Sequence, residues 1–291
     1  MHTSAFGVFQ EYERERANEL WKAFLDQRYE PSYCRSPRTE CQRLGTTTAP
    51  LLYASNPYSR VAWFRILGDH LLRHLGDYDR GVTEHPAFSL TLIFREQSTD
   101  LDWYPINWSG RLQGDPEPLS IREIREAYMK ELRDLNFVGM VEPAFYVHLP
   151  RSQFHIRRLV SWHVHGVVWG ISDTELSAIC KGIDGRHQTL IPRMTAAKPK
   201  PIQQGDLLKV LGYAAKAPRK QYSIGRKKRT DGFKQSDKPL SGPNRVRLHA
   251  LIRDIYLDEL AIGTGEGADV MKVVKKEALA PFRRRRREGR I

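Results

Sequence analysis

The sequence predicts an α/β (α+β) fold: a central antiparallel sheet of the split βαβ type, surrounded by helices and preceded by a helical N-terminal extension. Three observations lead there. Runs at 87–94, 138–148 and 158–169 are rich in β-branched and aromatic residues and read as strands. A capped helical segment separates the first two runs, and another follows the third, giving the order strand, helix, strand, strand, helix. The length, 291 residues, suits one elaborated domain or two modest ones with a real core.

The elements follow in order. Residues 8–28 carry Phe9, Tyr12, Leu20, Trp21 and Phe24 at near-helical spacing. Residues 30–58, with Pro31, Pro37, Pro50 and Pro57, read as loop. Val61, Phe64, Leu67, Leu71, Leu72 and Leu75 form the apolar stripe of an amphipathic helix. In the strand 87–94, Ser89 and Thr91 face away from the apolar positions. Ser120 and Glu123 make a capping box for a helix running to about Leu135. The strands 138–148 and 158–169 flank a turn at Pro150. Ser172 or Asp173 caps a short helix through Cys180. Asp206 opens a helix that Pro218 must end. Residues 226–229 are a basic stretch among polar residues, 244–262 read as one helix ending at Gly263, and 283–287 are five arginines, a like-charge run of the kind found in interaction tails. The expected division is a helical extension at 1–80, the main domain at 81–225 and a basic C-terminal helix and tail at 226–291.

Composition narrows the function. A formal net charge of +13 and an isoelectric point near 9.7 favour an anionic partner, most simply nucleic acid. Three cysteines make no disulfide framework. Cys34 and Cys41 are too widely spaced for a zinc knuckle. No apolar run reaches the roughly 20 residues of a membrane helix, and the N-terminal residues, with Glu11, Glu13 and Glu15, lack a secretory apolar region. A cytoplasmic protein is expected, or a nuclear one in a eukaryotic host.

The chemistry concentrates in Trp162-His163-Val164-His165-Gly166. On a strand, residues two apart share a face, so His163 and His165 project side by side and Val164 points the other way. Two imidazoles with a carboxylate can hold a divalent metal with open positions. Glu142 is the best third ligand, because the turn at Pro150 lays 138–148 antiparallel to the histidine strand. His148 and His155 are rivals. In the helix after Asp206, Lys209, Tyr213, Lys216 and Lys220 fall on one exposed face. Tyr213 is the candidate nucleophile, with Tyr222 the nearest alternative, and Lys216 the candidate partner that favours the phenolate or steadies phosphoryl charge.

Taken in order, Phe88-Ser89-Leu90-Thr91-Leu92, His163-Val164-His165 and Tyr213-Ala214-Ala215-Lys216 resemble the three motifs of single-tyrosine HUH endonucleases of the rolling-circle replication initiator (Rep) type. The resemblance spans about 85–220. The tyrosine follows the histidines, as in Reps; in relaxases it precedes them. The resemblance implies an RRM- or ferredoxin-like (HUH) sheet, and metal-dependent nicking and joining of single-stranded DNA at a replication origin. Tyr213 would be left on the 5′ phosphate and a 3′ hydroxyl released. It implies Mg²⁺ or Mn²⁺ held by His163, His165 and Glu142, with host helicase and polymerase as partners. Gly263-Thr264-Gly265-Glu266-Gly267 lacks the lysine of a P-loop, so no helicase motor is expected. A transposase of the same chemistry and a non-catalytic nucleic-acid-binding module are the alternative readings.

Overall fold

The computed structural model describes residues 2–26, 52–83, 85–100, 120–147, 149, 158–191, 193–226 and 233–287. Cys34, Cys41, His148, His155 and the basic residues 227–229 lie outside them. Eight helices and seven strands occur among the described residues: α1 (His2–Leu25), α2 (Pro57–Asp79), β1 (Phe88–Asp100), α3 (Ile121–Leu132), β2 (Asn136–Val147), β3 (Arg158–Trp169), α4 (Asp173–Arg186), β4 (Ala197–Pro201), α5 (Leu207–Ala215), β5 (Lys220–Arg226), β6 (Phe233–Pro239), α6 (Gly242–Ile252), α7 (Leu257–Leu260), β7 (Ala261–Thr264) and α8 (Glu266–Arg287).

The strands form one sheet in the order β4-β1-β3-β2-β5-β6, with β7 also on β2. The pairs β4·β1, β1·β3 and β3·β2 are antiparallel. Strand β3 thus lies between β1 and β2, which are joined through α3: this is the split βαβ connection. The sheet is mixed rather than purely antiparallel, because β2 and β5 run parallel.

The alternation of side chains sorts the core. Phe88, Leu90, Leu92 and Phe94 of β1 share one face with Trp162, Val164 and Val168 of β3, all essentially inaccessible to solvent. Helix α3 covers that face: the Tyr128 hydroxyl donates to the Trp162 carbonyl oxygen at 2.5 Å, and its ring stacks on Phe94 at 4.5 Å. The Phe137 ring also needs that face to be thin at its centre. Gly139 pairs with Gly166, and a Cβ on Gly166 would stand 2.3 Å from the Phe137 ring. The opposite face carries His163, His165 and Trp169. Trp169 meets His74 of α2 edge to face, and α2 in turn packs on α1 through Phe64 and Phe9, 4.3 Å apart.

Proline marks an opening in the sheet. On its second edge β2 pairs with β7 at Phe137–Met140 and with β5 at Phe145–Val147. Between them lie Glu142 and Pro143. A proline, lacking an N–H, is tolerated within a strand where the ladder is interrupted.

Two expectations are corrected here. Residues 244–262 are not one helix. Helix α6 stops at Ile252, and Ala261–Thr264 is a strand on β2, because its backbone completes the sheet edge there. The glycines that follow serve close packing: Gly265 takes a φ of +54°, and a Cβ on Gly267 would lie 2.0 Å from the Phe137 carbonyl oxygen. Residues 283–287 continue α8 as helix. The segments expected at 1–80, 81–225 and 226–291 meet directly, α2 against α5 and α8, and β7 within the central sheet.

Burial pushes the Tyr128 phenol up from its ordinary value of 10.0, so the folded state favours the neutral form. Its contribution is complete below pH 10 and is lost as pH rises from there toward the folded-state value. Tyr128→Phe should cost about 1–2 kcal/mol at neutral pH, from the lost hydrogen bond and the unmet Trp162 carbonyl, and should shrink the fall in urea midpoint between pH 9 and 11. An unchanged alkaline fall would show that Tyr128 is not its source.

Candidate metal and tyrosine site

The register between β2 and β3 pairs Glu142 with His163, and that between β1 and β3 pairs Thr91 with His165. All four side chains therefore emerge on one face. Glu142 Oε2 lies 3.6 Å from His163 Nε2 and 3.6 Å from His165 Nε2. The three donor atoms sit within 4.8 Å of one another, and this is the group of metal-ligating type found among the described residues. The expected ligand set His163, His165 and Glu142 is brought together.

The spacings let Glu142 share a divalent ion with either histidine. Two ligands each about 2.1 Å from one ion lie at most about 4.2 Å apart, and both glutamate–histidine spacings are shorter. Glu142 Oε2 is buried with no hydrogen-bond partner, a costly arrangement for a carboxylate oxygen unless a cation meets it. Both imidazoles are held from behind. His163 Nδ1 lies 3.3 Å from the Ser161 carbonyl oxygen, which can only accept, so the proton sits on Nδ1 and the Nε2 lone pair is free. His165 Nδ1 lies 2.8 Å from Thr91 Oγ1, which fixes the same tautomer when the hydroxyl accepts. Burial, with His163 and Lys216 adding to it, holds His165 well below the ordinary imidazole value, so it stays neutral, as a metal ligand must be.

Tyr213 comes from α5, which packs on this face. Its ring meets the His165 ring edge to face at 4.9 Å, and about half of the side chain is exposed. Burial and then the charges of Glu142 and Asp237 raise its phenol above the ordinary value. Lys216 departs from the expected position on the helical face. Helix α5 ends at Ala215, ahead of Pro218, and Lys216 is an extended C-cap residue. Its Nζ lies over the Tyr213 ring, 3.6 Å from the centroid, rather than beside the hydroxyl. Burial lowers the Lys216 ammonium, and Glu142 opposes that shift. Lys220 is not on the helix: it belongs to β5 and pairs with Asp237 at 2.7 Å. Lys209 pairs outward with Asp206 at 3.5 Å. Tyr222 lies on β5 and lines the same cleft, of about 300 Å³, as Glu142, His163, Tyr213 and Lys216.

The α5 exit is clamped by residues that local spacing does not reveal. The buried Glu13 carboxylate accepts from the Ala217 N–H at 2.9 Å and from Arg16 at 2.9 Å. The Tyr12 hydroxyl donates to the Ala217 carbonyl oxygen at 2.8 Å. Arg60, fully buried and pulled down to about 10 by desolvation, donates to the carbonyl oxygens of Ala215, at 2.6 Å, and Ala54. The N-terminal helices thereby fix the turn that carries Lys216. In the sequence, Tyr12 stands out only as part of a helical apolar stripe and Glu13 only as one of three N-terminal glutamates. Thr91 was legible as a polar residue on the strand 87–94, though not as the partner of His165.

Comparisons with protein families, with curated proteins and with solved structures return no match. The geometry of the site therefore carries the functional reading.

Titration calorimetry with Mn²⁺ should give one site per chain. Glu142→Gln, His163→Ala and His165→Ala should each remove most of that binding, and Thr91→Val should weaken it roughly 10-fold. Wild-type affinity in the first three variants would exclude the donor set. Glu13→Ala leaves the Arg16 charge without its buried carboxylate, with only the Ser55 carbonyl oxygen as acceptor, and the Ala217 N–H unpaired, so its urea midpoint should fall by the equivalent of about 3–5 kcal/mol. A loss below about 1 kcal/mol, the scale of an exposed pair, would remove the clamp.

Proposed function

We propose that this protein is a metal-dependent endonuclease and strand transferase acting on single-stranded DNA, with Tyr213 as nucleophile, of the HUH single-tyrosine Rep type. The observation that carries the reading is the meeting of Tyr213, on its own helix, with a three-donor set on the sheet face, in a chain of net charge +13. The split βαβ strand order is consistent with it. A nucleic-acid-binding module on such a sheet displays stacking aromatics on its central strands, whereas this face presents Glu142, His163 and His165.

The chain's own residues account for each step. Glu142, His163 and His165 are the residues that would hold the ion, Mg²⁺ or Mn²⁺ in this reading. When bound, that ion supplies positive charge to the non-bridging oxygens of a scissile phosphate and offsets the field of Glu142. Tyr213 Oη attacks phosphorus, its proton is lost, and the bond to the 3′ oxygen breaks. The products are a 5′-phosphotyrosine and a 3′ oxygen that takes up a proton to become the 3′ hydroxyl. Reversal by another 3′ hydroxyl rejoins the strand, because the phosphodiester energy is kept in the tyrosyl link. Lys216, over the Tyr213 ring on a flexible stem, is within reach of the same phosphate and steadies charge there. A replication origin is the substrate in this reading, with host helicase and polymerase completing the cycle.

The experiment is a covalent-trapping assay with single-stranded origin DNA and Mn²⁺, read by denaturing gel and by mass spectrometry of the adduct. Wild-type protein should give an adduct on Tyr213 that excess chelator abolishes. Tyr213→Phe should give none while DNA binding persists. Lys216→Ala should slow adduct formation by roughly 10- to 100-fold, the worth of a charge-assisted hydrogen bond, and leave Mn²⁺ affinity unchanged. An adduct on Tyr222, or full activity in chelator, would overturn the assignment.

A further inference from the structure

Tyr213 divides the site into two clefts. One, already described, contains Lys216, Arg219 and Lys220. The other, about 390 Å³, is lined by Ser89, Thr91, His165, Lys198, Lys200 and Tyr213. Tyr213 lines both clefts, and the paired histidines contribute one member to each, so a chain with one phosphate at the donor set has a path in both directions.

The second cleft is built by the edge strand β4. Lys198 pairs with Thr91 and Lys200 with Ser89, while Thr91 pairs with His165 across β1 and β3. Side chains in register share a face, so Lys198, Thr91 and His165 form one row leading to the donor set. Pro199 and Pro201 alternate with the lysines. They leave β4 without donors at those positions, which disfavours pairing with another strand, and the lysines remain the functional feature of the edge.

The two clefts differ in the charge they can offer. Arg219 is held by Glu15 at 2.8 Å and Glu19 at 2.7 Å, and Lys220 by Asp237. Lys198 and Lys200 are exposed and have no carboxylate partner among the described residues. Among the lysines and arginines lining the two clefts, Lys216, Lys198 and Lys200 have no carboxylate partner among the described residues, and two of these three lie on the β4 side. Residues two apart on a strand are about 6.6–6.8 Å apart, close to the step between successive phosphates of an extended single strand. Two inter-strand steps, about 9–10 Å, separate Lys198 from His165.

We infer that Lys198 and Lys200 bind successive phosphates of single-stranded DNA on one flank of the scissile phosphate, the flank that crosses β1 and β4. This rests on the reading of the site as a single-strand nuclease, but its test does not require cleavage. The probe is a fluorescein-labelled oligothymidylate of about twenty nucleotides, bound to full-length Tyr213→Phe protein in chelator and followed by anisotropy over a salt series. Lys198→Ala with Lys200→Ala should weaken binding and reduce the slope of log K against log salt by about 1.4, the value for two single-strand phosphate contacts. The control pair Lys272→Ala with Lys276→Ala, on α8, should leave the slope unchanged. Equal slopes for the β4 variant and the parent would overturn the inference, even if nicking occurs. A reduced slope, with no nicking by the wild-type enzyme in Mn²⁺, would keep it and overturn the nuclease reading. With a cleavable oligonucleotide, trimming one flank should remove the sensitivity to the β4 substitutions, and trimming the other should not. Sensitivity that survives both trims would refute the one-flank assignment.

Discussion

The site depends on the register between β2 and β3. A slip of one residue would turn every side chain of one strand to the other face, burying Glu142 among the aromatic side chains under α3 and leaving two histidines with no carboxylate. The fully buried face holds the register: Phe137, Val141 and Phe145 of β2 and Trp162, Val164 and Val168 of β3 all belong to one core cluster. Thus the apolar half of each strand fixes where the polar half must stand, and the donor set is positioned by packing on the opposite side of the sheet.

Polar atoms are spent sparingly around that face. Ser161 and Thr91 orient the two imidazoles, while Glu142 Oε2 is left unmatched inside the protein. The sheet opens beside it, between β7 and β5, where Pro143 interrupts the ladder. A buried carboxylate oxygen at the mouth of an opening is costly for the fold alone and favourable for a cation. The surrounding groups feel the same charge: Glu142 contributes to raising Tyr12, Tyr213 and Tyr222, after burial in each case. Burial and Glu142 together favour the neutral form of all three.

Much of the central unit was legible from the chain. The alternation in 158–169 gave a strand with the bounds observed, and the short connection to 138–148 gave the antiparallel pairing that brings Glu142 to His163. The prolines in Ala197–Pro201 hid β4, because an edge strand tolerates what a central strand does not. Ala261–Thr264 was hidden differently: four residues in an apolar run have no period of their own, and their strand conformation is imposed by the free edge of β2. The path of Lys216 was illegible for a third reason. Local spacing continues the helix toward Pro218, but Glu13, Tyr12 and Arg60 hold residues 215–217 from distant parts of the chain. The N-terminal helices are therefore part of the machinery that orients the tyrosine helix, a role that no motif within them announces.

The central claim is that Glu142, His163 and His165 bind one divalent ion beside Tyr213. Anomalous diffraction from crystals of the full-length protein grown with Mn²⁺ tests it most directly. A single strong manganese peak is expected within bonding distance of Glu142 Oε2, His163 Nε2 and His165 Nε2, on the side of the sheet that Tyr213 covers. A manganese peak held by other side chains, or none at these three atoms under saturating Mn²⁺, would contradict it.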